Sequence, residues 1–430
     1  MRKKILKLAI PSIISNLTVP LMGLFDVAIV GHLSNTSYIG AIAIGGMMFS
    51  LLYWGFGFLR MGTGGLTAQA YGRGDERDIL LQLLRPLLLA VCISILILLL
   101  HRPLEWLILS CIGEPDSALN RWASVYFRIC IWGAPAVLSM YALNGWFIGL
   151  QSPKITMYVA VFQNVLNILL SLFFVYTCHM QVEGVALGTL LGQWGGMFCS
   201  ALFCYKEKRN YFAHSVTFSQ ICDSVALKNY FQVNKHIVGR TLCLTAVTVS
   251  FTTFGARQGD TLLAVNTLMM QLFTIFSYFM DGFAYAGEAT AGAFYGERNR
   301  NGVKQTVNGL FFWGWCLTAC FTLIYGVGGQ HLLGLLTDQS EVLSACTSYN
   351  FWAMLIPVCG FSAFLWDGVF IGMTQTRLMF WIMLAAMLVY FILYFILFPA
   401  FANHGLWVAF LCYLVSRGIG QWIGFYKVIR

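Results

Sequence analysis

Charged side chains are scarce in this 430-residue sequence: Asp, Glu, Lys and Arg together make up only 10% of it. A soluble domain typically carries about 25% charged residues, so this chain lacks the polar surface that a water-soluble protein needs. Apolar residues make up 59% of the sequence, and its mean hydropathy is +0.74. The composition therefore indicates a protein that faces the lipid of a bilayer.

Motifs of several other protein classes are also missing. The sequence contains no G-x-x-x-x-G-K-[ST] loop, which argues against an ATP-driven motor, and no C-x-x-C pair among its thirteen cysteines. It has no paired catalytic motif and no histidine at the middle of an apolar segment, so we expect no enzyme activity, catalytic residue, cofactor or resident metal. The basic residues are scattered over short loops, which argues against nucleic-acid binding. The N-terminus has no small-residue cleavage signature, so we expect no removable signal peptide.

Twelve segments are long and apolar enough to cross a bilayer, for which a helix needs about 20 residues. The sequence therefore predicts an all-α polytopic membrane protein with twelve transmembrane helices. The segments are 5–30, 38–70, 80–101, 122–149, 155–177, 184–205, 230–254, 261–293, 304–327, 345–373, 377–400 and 405–427.

The two halves of the chain match each other in order. "NGWFIGL" at 144–150 matches "DGVFIGM" at 367–373 with an offset of 223, and "YG" at 71–72 matches 295–296 with an offset of 224. Six spans per half is an even number, so the halves cross the membrane in the same sense, as parallel repeats do. We predict an N-lobe and a C-lobe around a central cleft. The predicted boundaries are 1–205 for the N-lobe, 206–229 for a cytoplasmic linker and 230–430 for the C-lobe.

Basic residues are distributed unequally between the loops of the two sides. Sixteen lie on one side, and only Arg102, Arg121 and Arg257 lie on the other. Because basic loops stay in the cytoplasm, this bias predicts that both termini are cytoplasmic. The short loops and the basic inner face favour a bacterial inner membrane.

Charged residues inside apolar spans are costly, so they are functional candidates by default. A static acid–arginine pair that holds helices together is the alternative role for each acid. The four acids are Asp26, Asp281, Glu288 and Asp367, and the four arginines are Arg60, Arg128, Arg240 and Arg417.

Asp26 is the only one of these acids in the N-terminal half. A carboxyl group in an apolar, partly hydrated cavity can bind and release a proton near neutral pH. We predict that Asp26 couples ion movement, with structural pairing to Arg60 as the alternative.

A polar stripe in the fifth span adds candidates to this site. Asn164, Asn167 and Ser171 share one helix face, and they are predicted either to hold helices together or to complete a proton or cation site with Asp26. Pro11 precedes Asp26 in the first span and permits a bend there.

Two acids of the C-terminal half lie seven residues apart. Asp281 and Glu288 therefore project from one side of a helix, roughly 10 Å apart along its axis. We expect them to line the C-lobe wall together with Asp367. Arg240 and Arg417 are the arginines that can balance them, and the sequence leaves open whether these acids carry ions or only stabilise the lobe.

Four stretches resemble the multidrug and toxic compound extrusion (MATE) family. They are "FDVAIVGHL" at 25–33, "NGWFIGLQS" at 144–152, "NVLNILLS" at 164–171 and "DGFAYAGEATAGAFYG" at 281–296. The last stretch, with Arg240–Thr241 and "DGVFIG" at 367–372, is similar to the DinF-type branch. The resemblance implies efflux of organic, typically cationic amphipathic, compounds in exchange for inward H⁺ or Na⁺.

The resemblance also assigns roles to individual residues. Asp26 corresponds to the N-lobe carboxylate of the family, Asn167 and Thr189 to its partners, and Pro11 to the proline at which the first helix bends. Ser171 departs from the pattern, since well-known relatives have a second aspartate there. Losing that carboxylate removes a strong ligand for a hard cation, which favours H⁺ over Na⁺ at a site formed by Asp26, Asn167 and Thr189.

The sequence thus predicts a secondary active efflux transporter that works by alternating access as a monomer in the lipid bilayer. Its partners would be a small organic substrate and H⁺ or Na⁺. A lipid or lipid-linked oligosaccharide flippase of related architecture is the alternative, and an intramembrane enzyme or a scaffold fits the buried acids less well.

Overall fold

The computed structural model describes residues 1–31, 37–112 and 118–429. These residues form α-helices joined by short turns, with brief 3-10 segments at Ile131–Gly133 and Arg209–Ala213 and a π-helical turn at Phe173–Thr177. In chain order the helices are α1 (Arg2–Gly31), α2 (Ser37–Trp54), α3 (Phe58–Arg73), α4 (Glu76–Leu99), α5 (His101–Ile112), α6 (Ala118–Cys130), α7 (Ala134–Gly149), α8 (Pro153–Leu172), α9 (Val182–Glu207), α10 (Phe218–Ile221), α11 (Ser224–Ala256), α12 (Asp260–Gly296), α13 (Arg300–Gly334), α14 (Ser340–Gly372) and α15 (Thr376–Ile429).

The apolar helices account for the twelve predicted spans. Over the described residues, ten helices are long and apolar enough to cross a bilayer, and the pair α2 and α3, bent by 42°, forms one more. The helix α15 has 54 residues, about 80 Å at 1.5 Å per residue, which is far longer than one crossing requires. It therefore counts as two spans, and the prediction of a twelve-span all-α membrane protein is confirmed.

The break inside α15 lies at Ala402, where φ is 46° and ψ is −124°. Pro399 just before it removes a backbone donor, and a Cβ on Gly405 would lie 2.8 Å from the carbonyl of Leu397. Glycine at 405 thus lets the chain turn back closely on itself. The break falls between the predicted spans 377–400 and 405–427.

The described chain divides into two compact units. One consists of Met1–Ile13 and Tyr230–Arg430, and the other consists of Ile14–Asn229. The fully buried side chains of Trp146 and Phe147 belong to the core of the second of these units. The helix α1 thus contributes residues to both units, with the division two residues after Pro11.

The internal repeat is visible as the same helix contact made once in each unit. In α7, Gly145 touches the carbonyl oxygen of Arg60 on α3 so closely that a Cβ would not fit. In α14, Gly368 touches the carbonyl oxygen of Ala284 on α12 in the same way. These positions differ by 223 and 224 residues, the offsets found in the sequence.

One helical turn later the contact repeats. Gly149 lies against the carbonyl oxygen of Gly64, and Gly372 lies against that of Glu288. Two glycines four residues apart let a pair of membrane helices approach backbone to backbone. The repeat is therefore a repeated packing motif, and it places Glu288 directly at the α12–α14 contact.

Candidate ion-coupling site

Asp26 lies on α1 with only 4% of its surface exposed. Its Oδ2 accepts a hydrogen bond of 3.4 Å from the hydroxyl of Thr189 on α9, and that hydroxyl accepts one of 3.1 Å from Nδ2 of Asn167 on α8. The structure thus joins the side chains of Asp26, Asn167 and Thr189, which the family resemblance groups in one site, through a chain of hydrogen bonds across three helices.

Two further residues of α8 that were predicted to belong to the ion site contact different helices. Ser171 follows Asn167 by four residues, is fully buried and lies against α9, where its Oγ fills the space next to Gly188. Asn164 instead donates from Nδ2 to the backbone carbonyl of Thr18 at 2.8 Å. Asn164 therefore ties α8 to α1, whereas Ser171 borders the Asp26 cluster.

Three oxygen atoms, two in this cluster and one on the bordering Ser171, have no hydrogen-bond partner within the described residues. They are Oδ1 of Asp26, Oδ1 of Asn167 and Oγ of Ser171. Buried polar atoms are nearly always paired, and an unpaired one costs free energy. The unpaired carboxylate and amide oxygens can accept a proton or a cation, which is the chemistry that ion coupling requires.

Two residues of α6, one next to Asp26 and one paired elsewhere, further define the surroundings of Asp26. Tyr126 on α6 is buried beside it and interacts with the Thr189 hydroxyl. Arg128, an arginine that could have paired with Asp26, donates from Nε to Glu105 at 2.9 Å instead. Sequence reasoning missed Tyr126, whose position on an apolar helix face carried no signal, and Glu105, which lies between two predicted spans.

Asp367 on α14 has a different environment. It pairs with Arg240 on α11 and with Arg417 on α15, the latter at 2.7 Å, and Gln421 donates to its Oδ1 at 2.6 Å. One buried carboxylate thus binds two buried guanidinium groups and connects three helices. Gln421 was not predicted, although its place one helical turn after Arg417 puts it on the same face.

The remaining C-terminal acids lie on α12. Glu288 is buried, with 1% of its surface exposed, and Asp281 is partly exposed. The ion pairs of Arg240 and Arg417 in the described chain are made with Asp367. The role of Asp281 and Glu288 in the C-lobe therefore stays a prediction.

Comparisons with known proteins agree with this architecture. The MatE family model matches residues 11–173 and 237–396, once in each half of the chain. DNA damage-inducible protein F of Escherichia coli (strain K12) is 34% identical over 421 residues, which cover 97% of this chain and 90% of that protein. A probable multidrug resistance protein NorM of Acinetobacter baylyi is 25% identical over 312 residues, covering 69% of this chain and 66% of that protein.

Solved structures show the same fold. The Vibrio cholerae MATE transporter VcmN in its bent form superimposes with a TM-score of 0.87 at 17% identity, covering 100% of this chain and 97% of that one. The match of the family model in each half of the chain, and the 34% identity to the E. coli protein over 421 residues, confirm the predicted resemblance. The chain therefore belongs to the MatE family of membrane transporters and is similar to its DinF-type branch.

Proposed function

We propose that this protein is a secondary active efflux transporter that exports organic cations by antiport with H⁺ and couples the two movements through Asp26. The observation that carries the proposal is the buried cluster around Asp26. Hydroxyl and amide groups surround this carboxylate, and three oxygens, two in the cluster and one on the bordering Ser171, have no donor within the described residues. A carboxylate in such a place can change its charge, whereas Asp367 is held between two arginines.

Protonation of Asp26 would change the hydrogen bonds of the cluster. The ionised carboxylate only accepts, and its Oδ2 receives the Thr189 hydroxyl. The protonated group gains a donor, for which Oδ1 of Asn167 is an unpaired acceptor in the same cluster. The two charge states therefore favour different arrangements of α1 against α8 and α9.

The composition of the cluster favours H⁺ over Na⁺. Among the described residues, Asp26 is the one carboxylate that hydrogen bonds join to this cluster, and the neutral Ser171 lies against Gly188, which precedes Thr189 in the chain. A hard cation prefers several oxygen ligands, with charged ones binding most strongly, whereas a proton needs a single carboxylate. Na⁺ binding by Asp26, Asn167 and Thr189 is the alternative that the experiment below distinguishes.

The helix α1 offers a route from ion binding to a conformational change. Its residues up to Ile13 belong to one unit and the remainder, which carries Asp26, belongs to the other. Pro11 lies two residues before this division and weakens the helix there. An ion and a substrate exchange in alternating access if each binds the two states with different affinity, and bending at Pro11 would separate those states.

We infer the class of substrate from a relative, and the orientation in the membrane from the charge of the loops. The NorM protein is named as a multidrug resistance protein, which supports an organic compound as the exported substrate. The excess of basic residues in the loops of one side supports cytoplasmic termini. We propose that the protein works as a monomer in a bacterial inner membrane.

Efflux of a fluorescent organic cation from proteoliposomes tests the proposal. A pH gradient and a Na⁺ gradient are applied separately to the wild type, to Asp26→Asn and to Asp338→Asn, a matched control at an exposed carboxylate outside the Asp26 cluster. We expect export driven by the pH gradient in the wild type and the control, with a loss of at least about tenfold in Asp26→Asn because the asparagine cannot take up a proton.

Each other result has a distinct meaning. Export driven by Na⁺ alone would show that Ser171 does not weaken the cation site and that the choice of H⁺ is wrong. Export by Asp26→Asn at the wild-type rate would remove Asp26 from the coupling mechanism. No export by folded protein under either gradient would favour the flippase alternative, which a lipid-scrambling assay then tests.

A further inference from the structure

Threonine residues are concentrated on one face of α11, within the unit formed by Met1–Ile13 and Tyr230–Arg430. Intervals of four, three and four residues separate them, and residues with this spacing lie along one stripe of a helix. The stripe consists of Thr241, Thr245, Thr248 and Thr252. The exposed apolar residues Leu242 and Val249 lie on the neighbouring face, so α11 has a polar side and an apolar side.

A second polar stripe with the same spacing follows on α12. It begins with Thr267, Gln271 and Thr274, and it continues through Tyr278 to Asp281. Asp281 is one of the intramembrane acids that we expect to line the C-lobe wall. Two consecutive helices of one unit thus each present a row of polar side chains within a membrane span.

A cavity of about 200 Å³ lies between these two helices. Leu263 and Met270 form apolar parts of its wall, and polar side chains from both stripes form the rest. These polar residues are Thr248, Thr252, Thr267, Gln271 and Thr274. The described residues that line the cavity carry no charge, and none belongs to the Asp26 cluster. The ion-coupling mechanism therefore leaves this cavity without a role.

The hydrogen bonds of the lining threonines determine what the cavity can recognise. Each of the four hydroxyl groups donates to a backbone carbonyl one turn earlier on its own helix, at distances between 2.8 and 3.2 Å. These donors therefore do not link α11 or α12 to another helix, which is the usual role of polar residues inside a membrane. A hydroxyl oxygen whose hydrogen is used can only accept further bonds, so the cavity offers acceptors to a ligand that has donors.

Asn266 is the most buried polar side chain of the cavity wall, with 2% of its surface exposed. Its Nδ2 donates to Oδ1 of Asn403 at 2.8 Å, and its Oδ1 accepts from Nδ2 of Asn403 at 3.0 Å and from Nε1 of Trp407 at 2.9 Å. These bonds tie α12 to α15 and hold this part of the wall in place. The cavity therefore has a supported wall behind its row of acceptor oxygens.

The position of the cavity along α12 places it deep in the bilayer. Gln271 follows Asp260, the first residue of α12, by eleven positions, about 16 Å along the axis at 1.5 Å per residue. The hydrocarbon core of a bilayer is about 30 Å thick, so the cavity lies near its middle. Lipid headgroups remain at the two surfaces of the bilayer. A polar ligand at this depth is therefore a compound that crosses the membrane.

We propose that the cavity between α11 and α12 binds the protonated amine group of the exported compound and selects amines with N–H bonds over quaternary ammonium groups. The inference rests on the export function proposed above and adds a chemical class to its substrate. A primary ammonium group donates three hydrogen bonds, whereas a quaternary one has no hydrogen to donate. Thr252 and Thr267 accept from the two sides of the cavity, and Met270 contacts the apolar part of the compound.

The test is the binding of two matched fluorescent probes to the purified full-length protein in detergent, measured by fluorescence anisotropy. The probes share one dye and one linker, and they end in a primary ammonium or a trimethylammonium group. The wild type is compared with Thr252→Val/Thr267→Val, which replaces each hydroxyl with a methyl group of similar shape. The control is Thr253→Val, at an exposed threonine of α11 that donates to its own helix in the same way but does not line the cavity.

We expect the wild type and the control to bind the primary ammonium probe at least about tenfold more tightly than the quaternary probe, because a hydrogen bond to a charged group contributes roughly that factor or more. The double valine variant should bind the two probes equally. Thr252→Ser/Thr267→Ser keeps both acceptor oxygens and should keep the preference, which a change in packing alone would not explain. If the double valine variant does not fold, Thr252→Val and Thr267→Val are measured singly, and each should reduce the preference.

The binding assay uses no ion gradient, so its outcome is separate from that of the export experiment. Equal affinity of the wild type for the two probes would overturn the proposal, even where the protein exports cations. A preference that the double valine variant retains, or that Thr253→Val also loses, would remove the selection from this cavity. A preference that depends on Thr252 and Thr267 in a protein that exports nothing would keep the amine site and refute the export function.

Discussion

Asp26 and Asp367 are both buried carboxylates, yet their neighbours differ in kind. Asp26 accepts a single long hydrogen bond from a hydroxyl group, whereas Asp367 receives two arginines and a glutamine amide. Burying a charge is costly unless it is paired. A carboxylate among neutral groups can take up a proton, while one between two guanidinium groups must stay ionised to keep them neutralised.

This difference predicts that the same substitution destabilises the protein to very different extents at the two positions. Asp367→Asn leaves Arg240 and Arg417 buried without their counter-charge, which should lower the free energy of unfolding by about 3–5 kcal/mol. Asp26→Asn should change it by less than about 1 kcal/mol, because asparagine still accepts the Thr189 hydroxyl and can donate to Asn167. Thermal unfolding of both variants in detergent measures the two effects. Equal destabilisation would show that the two carboxylates have the same structural role.

The site could be predicted from the sequence only in part, for reasons visible at single residues. Asp26 and Asp367 stood out because charge is expensive inside an apolar span, and spacing marked Asn167 and Ser171. The partners came from distant parts of the chain. Nothing in the sequence indicated that Arg128 would bind Glu105 or that Asn164 would bind the backbone of Thr18, because such contacts depend on how helices pack.

At the scale of helices, the sequence predicted the membrane spans well, because the length of an apolar segment decides whether it can cross a bilayer. The twelve spans follow from hydropathy alone, and α15 shows why their limits were less certain, since one break at Ala402 separates two spans within 54 residues. The helix α5 was missed because its charged and aromatic residues interrupt the apolar pattern.

The repeated glycine contact gives a prediction for these helices. In Gly372→Ala the new Cβ would lie 3.0 Å from the carbonyl carbon of Glu288 and closer still to its oxygen, so α12 and α14 must separate. We expect a loss of about 1–3 kcal/mol in the free energy of unfolding, the usual cost of overpacking. Gly149→Ala should behave alike at the equivalent contact in the other unit.

Gly46→Ala is the matched control for this prediction. Gly46 is also helical, but a Cβ there has no neighbour within 4 Å. Alanine should therefore be neutral or stabilising by up to about 1 kcal/mol, through its higher helix propensity. Thermal unfolding compares the three variants. Equal effects would show that helix propensity, rather than the backbone contact, determines the outcome.

At the scale of the whole molecule, α1 carries Asp26, the proposed ion-coupling residue, and contributes residues to both compact units. Its first turns contact the unit that contains Tyr230–Arg430, where Trp313 donates to the backbone carbonyl of Arg2 at 3.2 Å. Its later turns carry Asp26 and belong to Ile14–Asn229. A change in the charge of Asp26 therefore acts on a helix whose N-terminal end belongs to the unit that contains Tyr230–Arg430.

Pro11 should determine how easily that helix bends. Proline removes a helix hydrogen bond at a cost of about 3 kcal/mol, so Pro11→Ala should stiffen α1 and raise the temperature of unfolding. If bending is a step of transport, efflux driven by a pH gradient should fall about tenfold, while the Asp26 cluster keeps its contacts. The control is Pro20→Ala, which alters the same helix entirely within Ile14–Asn229. If Pro11→Ala is stabilised and transports at the full rate, the export cycle needs no bend at Pro11. If Pro11→Ala and Pro20→Ala lose transport equally, transport depends on the flexibility of α1 as a whole.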